Sequence, residues 1–438
     1  MVHPDEADFD RIWISPITKQ IDDTTAYGQA FHGYWQQDLY SLNPHFGTFS
    51  DLLSLSQALH ARGMALMVDV VVNHFGSPYQ VNYSSYTPFN DGSYFHEEAF
   101  ITDYSNQAMV EQGWLGNGEV PLPDIDTENP QVVSTFNAWI SDLVQTYQID
   151  GLRLDTVKHV RKDFWPGFVA AGGVFALGEV LSGDPNYLSA YQPYTGGLLD
   201  YGTYYPLLRA FTPGGNMNEV VSLTAPSYRA LFTDTQLLAT FMENHDMPRF
   251  PAAASSDVII VQNAMAYTLL SDGIPVIYYG QEQSFSGGAD PNNREAMWAS
   301  GFKITTLYTY LAKLNRARSL AWSAGFGTNL TTGVYVDPST SVTQKGPLLL
   351  VLSNQGSSAG NKTVSFPTQF ASGTILYKCH NRLRRAASLF TARLGTTDVH
   401  EHTESRGLEL GHVKDHEHVH IIHKSSRKVR LEEFPSNL

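Results

Sequence analysis

The segment GLRLDTVKH, residues 151–159, combines the residues of a buried strand with several ionisable side chains. Side chains alternate along a strand, so Leu152 and Leu154 face one side while Arg153 and Asp155 face the other. A guanidinium beside a carboxylate favours the charged form of the carboxyl group, and an ionised, oriented aspartate can act as a nucleophile. A salt bridge with a purely structural role is the alternative interpretation of this strand.

Other predicted strands also end in acidic or imidazole side chains. LGEV places Glu179 behind an apolar run, where burial favours the protonated carboxyl group that a general acid needs. Two further predicted strands end in the motifs DVVVNH and ENHD, which contain Asp69, Asn73, His74, Glu243, His245 and Asp246. Packing alone does not explain so many polar groups at strand ends. A nucleophile and a protonated acid about 5 Å apart are what retaining glycoside hydrolysis requires.

These residues lie on a pattern of alternating elements. Short apolar, β-branched runs alternate with amphipathic segments along the chain. The predicted parallel strands are 11–16, 65–74, 151–155, 174–180, 237–246 and 274–282. Between the first two, FSDLLSLSQALHARG carries apolar residues at helical spacing. This alternation predicts an α/β fold, either a barrel or a doubly wound sheet, and both build their sites at the carboxyl ends of the strands.

The remaining segments differ in composition and predict further domains. Residues 75–130 are rich in Tyr, Asn, Gly and Pro with little periodicity, which predicts a small inserted domain. Residues 1–74 and 131–320 would form the catalytic barrel, and 321–378 a C-terminal antiparallel β domain. Residues 379–438 are rich in histidine and show neither a strand pattern nor amphipathic spacing. We interpret them as a divergent solvated or mistranslated tail, with a transition-metal site in DVHEH and HVKDHEHVHIIHK as the alternative.

Composition restricts the class of protein and its partners. The 438 residues are 42% hydrophobic, 12% aromatic and 16% charged, with a formal net charge of −15. That charge argues against nucleic acid and anionic membranes as partners, because both attract basic patches. The sequence contains one cysteine, Cys379, which excludes a disulfide within the chain, and we see neither a membrane-spanning run nor a signal peptide. Asn82, Asn329 and Asn361 stand in sequons that permit glycosylation.

Five motifs in order resemble the α-amylase family of glycoside hydrolases, glycoside hydrolase family 13. They are DVVVNH, LPDID, GLRLDTVKH, GEV and FMENHD, while HGYWQQDLYSLNPHFGT and GGADPNNREAMW resemble the fungal α-amylases in particular. The resemblance covers roughly residues 10 to 377 and implies a (β/α)8 TIM barrel with a small domain inserted after strand 3. The family's first strand and helix do not occur before residue 10, and the β-domain pattern stops near Tyr377. We therefore expect a barrel that lacks its first strand and has exposed strand edges, and an incomplete β domain.

The resemblance implies a role for each matching residue. Asp155 would be the nucleophile, Glu179 the general acid and base, and Asp246 the group that stabilises the transition state. Arg153 would keep Asp155 ionised. The implied substrate-binding residues are Tyr34 and Trp35, His74 and His245 as donors to sugar hydroxyls, Arg153, Lys158 and His159 on the leaving-group side, and Asp290 and Arg294 at the next sugars.

The resemblance also implies a structural calcium ion, Ca²⁺, between the barrel and the inserted domain. The matching ligands are Asn73, Glu111, Asp124 and the backbone carbonyl of His159. All four are oxygen donors, as a hard cation requires. A buried hydrogen-bond network is the alternative interpretation.

Together these observations predict endo-hydrolysis of α-1,4-glucosidic bonds in starch with retention of configuration. The implied partner is a starch or related α-glucan, and we expect a monomer. An extracellular location follows from the resemblance, with a cytoplasmic location as the alternative. A 4-α-glucanotransferase, in which a sugar hydroxyl replaces water, and a truncated, non-catalytic starch-binding form are the alternative functions.

Overall fold

The computed structural model describes residues 9–360, 362–370, 375–378, 388–393 and 430–433, the last three segments by their backbone alone. The chain forms two compact units. Among the described residues, the first unit comprises those up to Gly202 together with Ala230–Ala239, and the second comprises Thr203–Arg229 and those from Thr240 onward.

The described ranges form the following elements. The strands are β1 (Arg11–Ile14), β2 (Thr18–Gln20), β3 (Gln36–Leu42), β4 (Ala65–Val70), β5 (Leu115–Gly116), β6 (Pro121–Leu122), β7 (Gly151–Leu154), β8 (Phe175–Gly178), β9 (Gly197–Leu199), β10 (Leu238–Thr240), β11 (Ile274–Pro275), β12 (Thr332–Asp337), β13 (Thr340–Lys345), β14 (Leu348–Ser353), β15 (Ile375–Lys378), β16 (Ser388–Arg393) and β17 (Arg430–Glu433). The α-helices are α1 (Phe49–His60), α2 (Gln107–Gln112), α3 (Pro130–Tyr147), α4 (Trp165–Gly172), α5 (Pro185–Ser189), α6 (Gln192–Thr195), α7 (Tyr201–Phe211), α8 (Asn218–Ser222), α9 (Pro226–Arg229), α10 (Phe250–Ala253), α11 (Val258–Leu270) and α12 (Thr306–Ala321).

The main sheet is parallel and has the strand order β1-β4-β7-β8-β9-β10-β11. In the first unit the register places Asp69 of β4 opposite Arg153 of β7, and Arg153 opposite Leu177 of β8. Leu152, Arg153 and Leu154 are all fully buried, so β7 is covered on both faces. This register brings the carboxyl ends of β4, β7 and β8 to one edge.

Helix α3 shows why the flanking helices form where they do. Asn129 accepts a hydrogen bond from the backbone N–H of Gln131, Pro130 occupies the first turn, and Gln148 ends the helix in the left-handed conformation. Its buried face includes Phe136, whose ring lies 6.2 Å from that of Phe164 between centroids. Burial of this apolar stripe, more than intrinsic propensity, stabilises the helix.

The segment 75–130 contains little regular structure, which is limited to α2, the β5–β6 pair and two short 3₁₀ turns. Its interior is an aromatic cluster around Phe75, whose ring centroid lies 5.1 Å from Tyr86 and 6.0 Å from both Phe89 and Phe95. Aromatic packing therefore adds to isolated backbone bridges, such as Phe95–Ile125 and Phe100–Trp114, in stabilising this segment.

The second unit contains α11, a mainly apolar helix that is buried on every side. Twelve of its residues, from Ile259 to Leu270, are buried, the polar Gln262, Asn263 and Thr268 among them, and Asp257 caps its first turn by accepting from the N–H of Ile259. A helix buried on all faces lies inside the protein. The second sheet of this unit has the strand order β12-β13-β14-β16-β15-β17, and all its neighbouring strands are antiparallel except β15 and β17, which pair in parallel. The core beside its first three strands contains Val342, Leu349 and Phe366.

The structure confirms the predicted α/β class, with its parallel sheet and its separate, mainly antiparallel sheet. All six predicted parallel strands occur, but each is shorter than predicted. The prediction missed β9 and the β2–β3 pair. It also gave no strands to 379–438, whereas β16 pairs with β14 and β17 pairs with β15. Short strands depend on partners distant in sequence, which local patterns do not reveal. The histidine-rich motifs of this segment lie outside the described residues.

Within the described ranges, no helix combines the length and apolarity needed to cross a membrane.

The Asp272 carboxylate contacts three separate segments of the second unit. It pairs with Arg229 at 2.6 Å and with Lys345 at 3.0 Å, and it accepts from the backbone N–H of Thr331 at 2.9 Å. Burial opposes ionisation of Asp272, but Lys345, Thr331 and Arg229 outweigh that effect and lower its pKa overall. The carboxylate is therefore ionised in the folded protein.

Asp272→Asn should lower the free energy of unfolding near pH 7 by about 3 kcal/mol, because it leaves the buried Lys345 and the partly buried Arg229 without their counter-charge. The folded pKa lies below the unfolded value near 4, so the parent's advantage is present above about pH 4 and is lost as pH falls through the folded pKa. Denaturant titrations across this pH range measure the difference. Glu219→Gln, which removes the exposed Arg209–Glu219 pair, should cost less than about 1 kcal/mol. A pH-independent effect of Asp272→Asn would contradict the electrostatic explanation.

Candidate active site

Arg153 is the centre of a buried ionic cluster in the first unit. Its Nη1 donates to Asp155 Oδ1 at 2.6 Å and to the two carboxylate oxygens of Asp69 at 3.0 and 3.1 Å. Its Nη2 lies 3.1 Å from Glu179 Oε2. Arg153 is fully buried, and Asp155 and Glu179 are each 5% exposed. One guanidinium therefore holds the predicted nucleophile and the predicted acid at the ends of adjacent strands.

The pKa of Asp69 reflects both its burial and the negative charge of the neighbouring Asp155. Burial raises its pKa to about 7, and the neighbouring Asp155 adds to the shift, while Arg153 and Tyr34 oppose it. The Tyr34 hydroxyl donates to Asp69 Oδ2 at 2.6 Å. The same charges raise the pKa of Arg153 even though burial opposes its ionisation. Arg153 is therefore a permanent cation within this cluster.

The turn after β7 directs a backbone donor at Glu179. Thr156 has a φ of 48°, a left-handed conformation that is unfavourable for a β-branched residue. In this conformation its N–H donates to Glu179 Oε2 at 3.0 Å. The Tyr201 hydroxyl lies 3.5 Å from the other oxygen, Oε1. The left-handed conformation of Thr156 thus places its N–H where it helps to orient Glu179, the predicted acid.

Tyr34, Trp35 and His74 lie beside the cluster. The His74 Nε2–H donates to the Tyr34 carbonyl at 3.0 Å, and burial lowers the pKa of His74 to about 4, so the imidazole is neutral. A sugar hydroxyl at Nε2 would have to share this donor with the carbonyl. The Trp35 N–H donates to Gln20 Oε1 at 2.6 Å, and a Cβ on Gly76 would lie 2.5 Å from the Trp35 Cβ.

Lys158 and His159 follow in a 3₁₀ turn, Val157–His159. Lys158 Nζ donates to the Leu181 carbonyl at 3.0 Å and lies 5.3 Å from the centroid of the Tyr104 ring. The His159 Nδ1–H donates to the Val110 carbonyl at 3.0 Å. Burial, together with the Lys158 charge, lowers the pKa of His159 to about 3, so the ring is neutral.

Two buried oxygens in the first unit suit a cation. Asn73 Oδ1 and Asp124 Oδ1 have no hydrogen-bond partner among the described residues, although both side chains are almost completely buried. The backbone links them, because the Ile125 N–H donates to the Asn73 carbonyl at 2.8 Å. Glu111 accepts from Gln107 Nε2 at 2.7 Å, and the same nitrogen lies 3.3 Å from the Lys158 carbonyl. Unsatisfied buried oxygens are costly unless another group, such as a hard cation, compensates them.

His96 is a neighbour of this donor set that the sequence analysis missed. Its Nδ1 contacts Asp124 Oδ2 at 2.6 Å, and its Nε2 lies 3.0 Å from Glu128 and 3.6 Å from Asp126. Burial opposes its charge, but Asp124 and Glu128 outweigh that effect and raise the pKa of His96 to about 10. A protonated imidazole has no lone pair for a metal. We therefore interpret His96, Asp126 and Glu128 as an ion-pair cluster.

The second unit holds the other predicted residues. His245 Nε2 lies 3.4 Å and Arg294 Nη2 3.8 Å from Asp246 Oδ1. Arg294 Nε lies 3.2 Å from Asp290 Oδ1 and donates to the His245 carbonyl at 3.0 Å. Asp246, His245, Asp290 and Arg294 therefore form one connected group. The sequence analysis missed Arg249, a buried partner of Glu243 at 3.2 Å, for which only its position six residues after Glu243 was a signal.

Comparisons with known proteins show the family of the chain. The sequence profile of the family described as "Alpha amylase, catalytic domain" matches residues 5–337. The α-amylase of Saccharomycopsis fibuligera is 45% identical over 374 residues, which is 84% of this chain and 76% of that protein. The solved α-amylase structure from Malbranchea cinnamomea has a TM-score of 0.85 and 44% identity, and the match covers 89% of this chain and 87% of that chain. The Geobacillus thermoleovorans α-amylase, solved in complex with acarbose, has a TM-score of 0.77 and 29% identity over 90% of both chains.

A parallel α/β sheet with carboxylates at its strand ends and these structural relatives defines a glycoside hydrolase of the TIM-barrel class. The chain belongs to the α-amylase family.

Gly76→Ala should lower the free energy of unfolding by about 2 to 3 kcal/mol, because the new methyl group would overlap the Trp35 backbone, which lies 2.7 Å from the added carbon. Gly118→Ala is the matched control in the same segment, since a Cβ there meets nothing within 4 Å, and its effect should stay within about 0.5 kcal/mol. Urea titrations of the three proteins test this. Equal stability of the two variants would show that the close approach of Gly76 to Trp35 is unimportant.

Proposed function

We propose that the protein hydrolyses internal α-1,4-glucosidic bonds in starch and related glucans with retention of configuration. The observation that carries the proposal is the contact of one buried guanidinium, Arg153, with both Asp155 and Glu179 in a chain of the α-amylase family. Retaining enzymes need two carboxyl groups close together, one ionised and one protonated.

Asp155 is the proposed nucleophile. Arg153 engages its Oδ1 at 2.6 Å and stabilises the ionised form, and we assign the attack on the anomeric carbon to this carboxylate. The attack forms a covalent glycosyl ester, and water later cleaves that ester. Because the permanent charge of Arg153 favours the ionised carboxylate, no general base is needed to activate it.

Glu179 is the proposed general acid, and its hydrogen bonds indicate which oxygen carries the proton. Oε2 already accepts from the Thr156 N–H and lies beside Arg153 Nη2, both of which are donors. A proton on Oε2 would face these donors, so we place it on Oε1, on the side of the Tyr201 hydroxyl. Oε1 then protonates the leaving oxygen and later accepts a proton from water.

The other predicted residues would bind the substrate. We propose that Asp246 stabilises the oxocarbenium-like transition state, with His245 beside its carboxylate. Tyr34 and Trp35 would pack against the sugar, and His74 would donate to a hydroxyl. The remaining proposed contacts are Lys158 and His159 at the leaving group and Asp290 and Arg294 at further sugars.

We propose that Asn73, Glu111, Asp124 and the His159 carbonyl hold Ca²⁺. The partnerless Oδ1 atoms of Asn73 and Asp124 support this, because burial raises the pKa of Asp124 to about 7 and a cation would stabilise its ionised form. The ion would supply positive charge that links separate segments of the first unit. Its proposed role is structural.

A monomeric state and an extracellular location remain proposals from the family. In the described part of the chain the sequon residues Asn82 and Asn329 are exposed, which permits glycosylation. Asn361 lies outside the described residues.

Incubation with maltoheptaose tests the proposed activity. The parent should produce shorter α-configured sugars. Asp155→Asn should lower turnover by about 10³-fold or more while retaining starch binding, because it removes the nucleophile and keeps the shape. Glu179→Gln should lose a similar factor on maltoheptaose but much less on the first step with a leaving group that needs no proton.

Each other outcome has a distinct meaning. Longer sugars among the products would identify a 4-α-glucanotransferase, and binding without turnover a non-catalytic glucan-binding protein. Activity of Asp155→Asn within tenfold of the parent would refute its assignment as the nucleophile. Equal losses of Glu179→Gln on both substrates would refute its role as the acid.

A calcium chelator should lower the melting temperature of the parent, and added Ca²⁺ should restore it by mass action. Asp124→Ala should abolish this response, because it removes a proposed ligand. Asp126→Asn, which changes a nearby carboxylate outside the proposed ligand set, should keep the response. Melting curves of the parent that do not respond to chelator would remove calcium from the proposal.

A further inference from the structure

We propose that Arg249 is a positioning residue that holds the loop bearing Asp246 in the geometry required for glycosidic cleavage. The inference rests on the proposed function, because it concerns the aspartate assigned to transition-state stabilisation. All the residues involved belong to the second unit.

Arg249 is completely buried and has partners on several sides. Its Nη1 donates to the Tyr279 carbonyl at 2.6 Å and lies 3.2 Å from Glu243 Oε2, and its Nε donates to Glu295 Oε2 at 3.0 Å. The guanidinium carbon lies 4.1 Å from the centroid of the Tyr278 ring. A planar guanidinium satisfies these partners together, whereas the single nitrogen of a lysine does not.

Glu295 extends this fixation to a neighbouring loop. Its Oε1 accepts from the backbone N–H groups of Ser286 at 3.1 Å and Gly287 at 2.7 Å. The Gly287 carbonyl in turn accepts from the Arg249 N–H at 3.0 Å. A Cβ on Gly287 would lie 1.7 Å from the Asn292 carbonyl oxygen, so the loop folds closely on itself. Arg249 and Glu295 therefore close the loop from 286 to 295.

The closed loop holds the peptide groups on both sides of Asp246. The buried Asn293 donates through Nδ2 to the carbonyls of His245 at 2.8 Å and Met247 at 2.9 Å. Arg294 Nε also donates to the His245 carbonyl, at 3.0 Å. The chain before and after Asp246 is thus bonded to two consecutive residues whose loop depends on Arg249.

Stability alone explains this network poorly. Replacement of a buried ion pair by apolar groups is often neutral or stabilising, because desolvation offsets the attraction. Arg249 Nη2 has no hydrogen-bond partner among the described residues, and burial raises the pKa of Glu243 to about 7 in spite of Arg249. Because the buried charges and the unpaired Nη2 lower the stability gained from this network, its role is explained better by the loop conformation that it fixes.

A double-mutant cycle tests whether Arg249 acts through Asp246. Arg249→Lys keeps the charge but loses the fork, so kcat should fall at least about tenfold while KM stays within about threefold, as expected for an interaction made mainly in the transition state. In an Asp246→Asn background the same change should cost less than about threefold. Arg229→Lys, at another partly buried ion pair of this unit, is the control and should leave kcat unchanged. Additive losses at Arg249 and Asp246 would overturn the proposal.

A charge-free variant separates positioning from folding. Arg249→Met combined with Glu243→Met removes both buried charges and should recover most of the stability lost by Arg249→Met alone. The kcat should remain low, because the carbonyl of Tyr279 and the carboxylate of Glu295 still lack their donor. Recovery of kcat together with stability would show that Arg249 has only a structural role.

Hydrogen exchange provides a readout that does not require turnover. The N–H groups of Asp246 and Met247 donate to Asn244 Oδ1 at 3.1 and 2.9 Å. Arg249→Lys should accelerate their exchange relative to the parent, and Arg229→Lys should not. Unchanged exchange would overturn the positioning role. An inactive parent whose exchange at these positions responds to Arg249→Lys would contradict the proposed function while leaving the positioning role intact.

Discussion

The charge of Arg153 must stabilise three carboxyl groups at the ends of three neighbouring strands, and much of the first unit follows from that constraint. Asp69 lies within β4, Asp155 directly after β7 and Glu179 directly after β8. All are almost completely buried, so their charges are costly unless they are paired. Removal of the guanidinium would leave several carboxylates without compensation. The raised pKa of Asp69 shows that even with Arg153 present the cluster is near its limit of negative charge.

The parallel register makes this cluster possible. Asp69 and Arg153 are directly paired across β4 and β7, and the N–H of Glu179 donates to the Leu154 carbonyl at 2.9 Å. A shift of one residue would turn Arg153 toward the helices and Leu154 toward the carboxylates. Two neighbouring backbone features help to position the groups at this edge of the parallel sheet. The left-handed Thr156 directs its N–H at Glu179, and Gly76 lets the chain approach Trp35 closely.

The second unit uses a buried arginine in a different way. Arg249 pairs with Glu243 and Glu295, as Arg153 pairs with Asp155 and Glu179. Its side chain, however, also donates to the Tyr279 carbonyl, and no residue assigned to bond cleavage contacts it among the described partners. Arg153 therefore acts on the ionisation of the proposed catalytic groups, while Arg249 acts on loop geometry. This difference explains why the resemblance pointed to the first arginine and did not reveal the second.

The sequence by itself determined the class of fold and the identities of the proposed catalytic groups. Alternating strand and helix patterns predicted the parallel sheet, because strand periodicity is local and is written in consecutive residues. The residues after the apolar runs indicated Asp155 and Glu179 as candidates, and the resemblance to the α-amylase family implied the roles of Asp155, Glu179 and Asp246. Only the tertiary structure decided which ionisable groups contact one another. The contact of Asp69 with Arg153 spans 84 residues, that of His96 with Asp124 depends on a segment without periodicity, and Arg249 meets Glu295 across 46 residues. These contacts, and the pKa values and loop geometry that follow from them, depend on distances between remote segments, which no local pattern encodes.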